Sequence, residues 1–268
     1  MDKNAPLLEV RCFLLDMDGT FYLGDQLLEG ALQFIAVLNQ QGREYLFLTN
    51  NSSKDSQQYA EKITRLGVAS PRQKVFTSGE ATAMHLQRQQ PEARLYVVGT
   101  PALENEFEER GFQLTHEMPD FAVLGFDTTL TYDKLWKLCD LVRAGVPYIA
   151  THPDYNCPTE TGFMPDIGAT IAFVKAATGR EPDLVVGKPN PLFVEKAAER
   201  TGIPVSEMCM IGDRLYTDIA LGATAGIPTI LVLSGETRQE DVHASPYKPT
   251  YIFKNLAEVA SHLVRSEN

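Results

Sequence analysis

Phe13-Leu14-Leu15-Asp16-Met17-Asp18-Gly19-Thr20 sets an apolar run of strand length directly against two carboxylates, a glycine and a hydroxyl. Strands buried on both faces of a parallel sheet read as short continuous apolar runs, and ligands of such sheets bind beyond the strands' carboxyl ends. Asp-x-Asp-Gly on its own also suits a plain turn. Three further runs decide between the readings. Residues 45–48 deliver Thr49-Asn50-Asn51-Ser52, residues 184–187 deliver Lys188-Pro189, and Met210-Ile211-Gly212 delivers Asp213. If these strands are neighbours, carboxylates, a hydroxyl, amides and an ammonium converge on one point.

Working outward, apolar runs at 11–15, 45–48, 95–98, 122–124, 148–150, 184–186, 208–211 and 229–233, with a weaker one at 251–253, alternate with segments of helical period. The helical segments include 31–41, 53–66, 80–90, 132–144, 191–200 and 217–224, and Gly42, Gly67, Gly145 and Gly202 stand where helices end. This alternation predicts an α/β fold, doubly wound around parallel sheet. The 268 residues amount to about 1.8 average domains. The functional-looking polar residues lie before about residue 53 and after about residue 187, with a separate α/β alternation between. The expectation is a catalytic core of residues 1–78 and 184–268 with an α/β domain inserted at 79–183, hinged near Thr77-Ser78-Gly79 and Gly179-Arg180-Glu181-Pro182. Trp136 keeps helical spacing with Leu135, Leu138 and Leu141 and reads as core. The polar stretch 152–166 lacks a regular period and reads as a long functional loop that selects the leaving group.

Lys plus Arg number 24 against 35 Asp plus Glu, a net charge of −11. That sign disfavours broad binding to nucleic acid or acidic lipid, so an anionic substrate needs a small local trap. Cys12, Cys139, Cys157 and Cys209 show no C-x-x-C spacing and read as reduced thiols. The opening Met1-Asp2-Lys3-Asn4-Ala5-Pro6 lacks the pattern of a secretory leader, and no run reaches the about 18 apolar residues of a membrane span. The chain therefore reads as cytoplasmic.

The clustered groups suit phosphate chemistry. Asp16 and Asp213, with Asp18 and Asp218 nearby, would repel one another unless a cation sat among them, and an all-oxygen set without His or Cys suits Mg²⁺. Lys188 supplies a second positive charge, and Thr49 with the amides after it opens onto a helix N-terminus. Asp16 is placed to attack phosphorus, forming an aspartyl-phosphate, and Asp18 to protonate the leaving oxygen and then deprotonate water. Lys188 as a solvated loop lysine and Asp218 as a capping residue are the plain alternatives.

Asp16-Met17-Asp18-Gly19-Thr20 resembles the D-x-D-G-T signature of the haloacid dehalogenase superfamily. Thr49, Lys188 and the run from Gly212 to Asp218 resemble its other three motifs, in order along the chain. Leu48-Thr49-Asn50-Asn51-Ser52-Ser53, Val186-Gly187-Lys188-Pro189 and Gly212-Asp213-Arg214-Leu215-x-Thr217-Asp218 are similar to the p-nitrophenyl phosphatase or NagD-like branch, whose members carry a large α/β cap between the second and third motifs. The resemblance implies that Asp16 is nucleophile and Mg²⁺ ligand, Asp18 the acid/base and a ligand through its main-chain carbonyl, and Asp213 the remaining ligand. It implies that Thr49, Asn50 and Lys188 bind the phosphoryl group, with Asp218 behind them orienting Lys188 or metal-bound water. The reading is a Mg²⁺-dependent phosphatase acting on a small phosphorylated metabolite, with no nucleic-acid or membrane partner and with a cap-to-cap homodimer compatible with the architecture. A phosphomutase using the same intermediate and a non-catalytic binder of a phosphorylated ligand are the rival readings.

Overall fold

The computed structural model describes residues 5–69, 72–159 and 162–266. Two compact units emerge: Met1–Leu48, Ala60–Phe76 and Lys188–Asn268 form one, and Thr49–Tyr59 with Thr77–Gly187 form the other. The seams fall at Phe76/Thr77 and Gly187/Lys188. Residues 49–59 group with the second unit, although the sequence reading keeps them in the outer segments.

Along the chain run β1 (Cys12–Leu15), a small antiparallel pair β2 (Tyr22–Leu23) and β3 (Gln26–Leu27), then β4 (Glu44–Thr49) and β5 (Val75–Thr77). Next come β6 (Arg94–Val98), β7 (Gln113–Leu114), β8 (Phe121–Leu124), β9 (Tyr148–Ala150), β10 (Asn156–Thr159), β11 (Gly162–Pro165) and β12 (Leu184–Val185). The chain closes with β13 (Met208–Gly212), β14 (Thr229–Val232) and β15 (Tyr251–Phe253).

The first unit is built on a six-stranded sheet in the order β15-β14-β13-β1-β4-β5. From β1 the chain moves outward through β4 to β5, then returns to β13 on the other side, so the strand order reverses at β1 and β13. That crevice is where doubly wound sheets bind ligands. β1 is parallel to both neighbours, with Leu15 level with Ile211 on one side and Phe47 on the other. The residues that follow, Asp16 and the Gly212-Asp213 pair, therefore leave the sheet side by side. All four residues of β1 are fully buried, as the continuous apolar run requires. Phe13 meets Phe34 edge-on at 5.7 Å and Phe21 meets Phe47 at 4.7 Å. Each such side chain contributes about 1.5–3 kcal/mol by leaving water, and together they fix the strand ends.

The second unit carries a five-stranded sheet in the order β12-β9-β8-β6-β7 and the antiparallel hairpin β10-β11. Three sequence expectations are corrected here. The 184–186 run forms β12, which pairs in parallel with β9 of this sheet, so Lys188 follows a strand of the second sheet instead of extending one of the first. The supposed loop within 152–166 contains the β10-β11 hairpin, with Glu160 and Thr161 outside the described residues. Its described β11 residues are exposed on both faces, so no apolar alternation marks the strand. Trp136 is 60% exposed. Helical residues advance about 100° each, which sets Trp136 roughly opposite the buried stripe of Leu138, Cys139, Leu141 and Val142 on helix Tyr132–Arg143. Cys12, Cys139, Cys157 and Cys209 are all free thiols, Cys157 half-buried and the others buried.

A buried polar knot ties together the start of this unit. Glu106, on helix Pro101–Glu109, accepts a hydrogen bond from the Thr77 hydroxyl at 3.2 Å and faces Glu80, which pairs with Arg110 at 2.8 Å. Burial, reinforced by Glu80 and Asp55 and opposed by Thr77 and Arg110, pushes the Glu106 carboxyl from 4.5 up to about 8. The folded chain thus holds this proton more tightly than the unfolded chain. Stability from this group is complete below the unfolded value and is lost as pH rises toward 8. Glu106→Gln, which keeps the polar contact and removes the charge, is expected to raise the thermal midpoint at pH 9 relative to wild type, by at most about 5 kcal/mol in stability, and to change little at pH 4. Parallel melting curves of the two proteins across this range would exclude a buried proton at Glu106.

Candidate active site

The turn after β1 presents its polar residues in different directions. The main-chain carbonyl of Met17 accepts from Thr20, Phe21 and Tyr22, winding the chain tightly, and Gly19 takes φ +88°. Asp16 is 8% exposed. Asp18 is exposed, and its carboxylate accepts from the Tyr22 hydroxyl at 3.4 Å, with the Lys62 ammonium 3.9 Å above the Tyr22 ring. The Thr20 hydroxyl points to Asp213 Oδ1 at 3.1 Å.

β13 delivers Gly212 and Asp213, and the chain then makes a wide helical turn over Leu215–Ile219 before helix Ala220–Ala225. Such widened turns recur at functional sites. Here the turn folds Asp218 back beneath the strand end. Its Oδ2 accepts from the Arg214 main-chain N–H at 3.1 Å, and a Cβ on Gly212 would fall on the Asp218 side chain. The Lys188 ammonium is buried and donates to Asp16 and, at 2.7 Å, to Asp218 Oδ1. Asp16, Asp213 and Asp218 each offer an oxygen within 4.8 Å of the others. The structure therefore brings Asp16, Asp18, Lys188, Asp213 and Asp218 together on the first unit.

The electrostatics follow from crowding like charges out of water. Burial, with Asp218 and Asp213 adding, raises the Asp16 carboxyl well above the usual carboxylate range, against the pull of Lys188. Burial and Asp218 push Asp213 up to about 6, opposed by the Glu236 main-chain N–H, Arg214 and Thr20. Although Asp18 as a residue reaches solvent, its carboxyl is partly buried against Tyr22, and loss of water there raises it too, with Lys62 opposing. Burial alone would lower Lys188, yet Asp16 and Asp218 outweigh it and hold the ammonium charged. Among the described residues, the carboxyl groups of Asp16, Asp18, Asp213 and Asp218 outnumber the cations that act on them, Lys188, Arg214 and, at Asp18, Lys62. An oxygen-only donor set with excess negative charge fits a divalent cation.

Thr49 and Asn50 belong to the second unit by their contacts. Thr49 ends β4, and its hydroxyl accepts from the Asn51 N–H at 3.1 Å. The Asn50 amide donates to both oxygens of Asp154, at 3.2 and 3.1 Å, while its main-chain carbonyl accepts from the Ser78 hydroxyl. Ser52 bonds Thr151 at 2.9 Å and accepts from the Phe126 N–H at 2.9 Å. Beside this loop, His152 is fully buried with Nε2 at 3.0 Å from Asp166 Oδ1. Its ring serves the internal network of that unit.

The haloacid dehalogenase-like hydrolase family model matches residues 13–113, and a HAD-hydrolase-like model matches residues 185–259. The acid sugar phosphatase of Staphylococcus aureus is 38% identical over 256 residues, 95% of this chain and 98% of that protein. The chain belongs to the haloacid dehalogenase-like hydrolases. Among solved structures, the 4-nitrophenylphosphatase of Thermotoga maritima matches with a TM-score of 0.92 at 50% identity, covering 94% of this chain and 97% of that one. The glycerol phosphate phosphatase of Mycobacterium tuberculosis, solved in complex with calcium, matches with a TM-score of 0.87 at 34% identity, covering 94% of this chain and 75% of that one. Within the superfamily the chain falls in the NagD-like branch and is a phosphatase of the haloacid dehalogenase type.

In this phosphatase the sequence reading passed over several residues that touch the acidic cluster. Thr20 stood inside the quoted motif without a role, yet it holds Asp213. Tyr22 and Lys62 flank Asp18. The loop Ser234-Gly235-Glu236-Thr237 was missed altogether, although it follows the apolar run of β14 as Asp16 follows β1. Its place after that run puts it at the same end of the sheet as the other motifs, but nothing in the sequence shows its bonds to Asp213.

Proposed function

We propose that this chain is a Mg²⁺-dependent phosphatase that hydrolyses a small phosphomonoester through an aspartyl-phosphate on Asp16. The observation that carries the proposal is the buried Lys188 ammonium bound to Asp16 while oxygens of Asp16, Asp213 and Asp218 converge within 4.8 Å. Asp16 attacks phosphorus, the ester P–O bond breaks, and Asp18 gives its proton to the departing alkoxide. Asp18, now a carboxylate, takes a proton from water as that water attacks the same phosphorus. Inorganic phosphate leaves and both aspartates return to their starting states. The upward shift of Asp18 fits a group that must begin as an acid. Lys188 offsets charge developing on the transferring oxygens, and Asp218 keeps its ammonium aimed at Asp16. Thr49 and Asn50 are assigned to hold the phosphoryl group on the strength of the family resemblance. Phosphatases of this superfamily use a divalent metal, and Mg²⁺ held by Asp16, Asp213 and the Asp18 main-chain carbonyl would supply the missing positive charge.

The names of the relatives support small phosphate esters as substrates, including sugar and glycerol phosphates. Release of inorganic phosphate from 4-nitrophenyl phosphate and from a panel of sugar and glycerol phosphates tests the reading. Phosphate is expected with Mg²⁺ present, with chelation lowering the rate by about 10²-fold or more. Turnover indifferent to chelation would refute the metal assignment, and tight binding of these esters without turnover would refute hydrolysis.

A further inference from the structure

The loop after β14 closes over Asp213. The Glu236 main-chain N–H donates to Asp213 Oδ2 at 2.7 Å, and the Thr237 N–H reaches the Asp213 carbonyl at 3.3 Å. The Ser234 hydroxyl donates to the Gly19 carbonyl at 3.0 Å, fastening the loop to the turn after β1. Gly235 lies so close that a Cβ would fall on the Asp213 carboxylate, so the chain can approach there only without a side chain. With Thr20 on Oδ1 and Glu236 on Oδ2, each oxygen of Asp213 has a donor and retains a lone pair.

The Glu236 side chain turns the other way. Its carboxylate lies 3.0 Å from Arg214 Nε, an ion pair without hydrogen-bond alignment, and accepts from the Tyr216 hydroxyl at 2.9 Å. One residue thus grips Asp213 through its backbone and the following Arg214 through its side chain. The guanidinium it holds is largely buried and acts electrostatically on Asp16, Asp213 and Asp218. Stability alone does not account for this arrangement. The Glu236 side chain is 48% exposed, and ion pairs that reach solvent in this way add little to stability.

We infer that Glu236 is a positioning residue of the metal site: by anchoring its own loop to Arg214 and Tyr216, it holds the main-chain N–H that orients Asp213. The inference rests on the reading of Asp213 as a ligand to a divalent cation. Groups that orient metal ligands from behind typically change metal affinity by about 10–100-fold when removed. Glu236→Ala frees the loop and is expected to weaken Mg²⁺ binding, measured by calorimetry without substrate, by about tenfold. The Mg²⁺ concentration for half-maximal turnover should rise by the same factor while kcat at saturating Mg²⁺ is largely restored. Glu236→Gln, which retains a polar contact to Tyr216, should recover part of the affinity. Tyr216→Phe removes one hydroxyl from an exposed side chain, keeps the fold testable if Glu236→Ala does not fold, and should weaken Mg²⁺ binding about threefold. Unchanged Mg²⁺ affinity in folded Glu236→Ala or Tyr216→Phe protein, accompanied at most by a lower melting temperature, would overturn the inference. Absence of Mg²⁺ binding by the wild type would overturn the metal reading beneath it, and the calorimetry separates the two failures.

Discussion

Asp16→Asn is expected to reduce turnover by about 10⁴-fold or more while raising the melting temperature of the metal-free protein. The first effect follows from chemistry, since an amide oxygen cannot form the acyl-phosphate on which the proposed reaction depends. The second follows from the direction of the Asp16 shift. Burial and the neighbouring Asp218 and Asp213 carry its folded pKa far above the ordinary value, with Lys188 only partly offsetting them. A carboxyl shifted upward stabilises the fold at low pH and weakens it once pH passes the unfolded value, so at neutral pH without metal the ionised group opposes folding. Asn keeps the shape and removes the charge, and a gain in stability is expected, the usual trade between stability and function at active sites. Phosphate release with Mg²⁺ and thermal melting in chelator measure the two effects on the same preparations. Retained turnover would exclude Asp16 as the nucleophile. A lowered melting temperature would mean that the Lys188 pair outweighs the repulsion.

The same opposition of charges explains which parts of the molecule could be read in advance. Each strand predicted from an apolar run is present, and the clearest are those covered on both faces, which must be apolar at every position, as Cys12–Leu15 is. The exposed β11 carries no such mark. The β10-β11 hairpin contains Pro158 and Pro165, and β11 is exposed throughout, so composition suggests a loop where backbone pairing makes a ladder. β12 shows a different limit. Its apolar residues announce a strand but not a sheet, and partner choice depends on where the chain crosses between units, which no local pattern encodes. Trp136 failed for a related reason, since helical spacing specifies faces and cannot say which face is covered. At the site, the acidic and basic residues of the four motifs were readable because each follows an apolar run. Their supports were not. Thr20 and Glu236 are polar residues of ordinary type, and only coordinates show that their donors end on Asp213.

Lys188→Met should have the opposite signature to Asp16→Asn in stability and the same sign in activity. The Lys188 side chain is 4% exposed and sits between Asp16 and Asp218, which are 12% and 0% exposed at their side chains. Withdrawing one partner from a buried ionic group leaves uncompensated charge and typically costs about 3–5 kcal/mol. The sign agrees with the upward shift of the ammonium, because a cation with a raised folded pKa stabilises the fold at every pH below its unfolded value. Methionine fills similar volume, so the loss reflects charge and not a cavity. Activity should fall by about 10²–10³-fold at saturating Mg²⁺, the effect of removing one preorganised charge from a transferring group. Because a divalent cation would also relieve the repulsion between Asp16 and Asp213, Mg²⁺ should raise the melting temperature of Lys188→Met more than that of wild type. In Asp16→Asn, which has lost a carboxylate, the same addition should raise it less. A Mg²⁺-induced shift of equal size in all three proteins would show that ammonium and metal do not share these carboxylates, and would sever Lys188 from the site's charge balance.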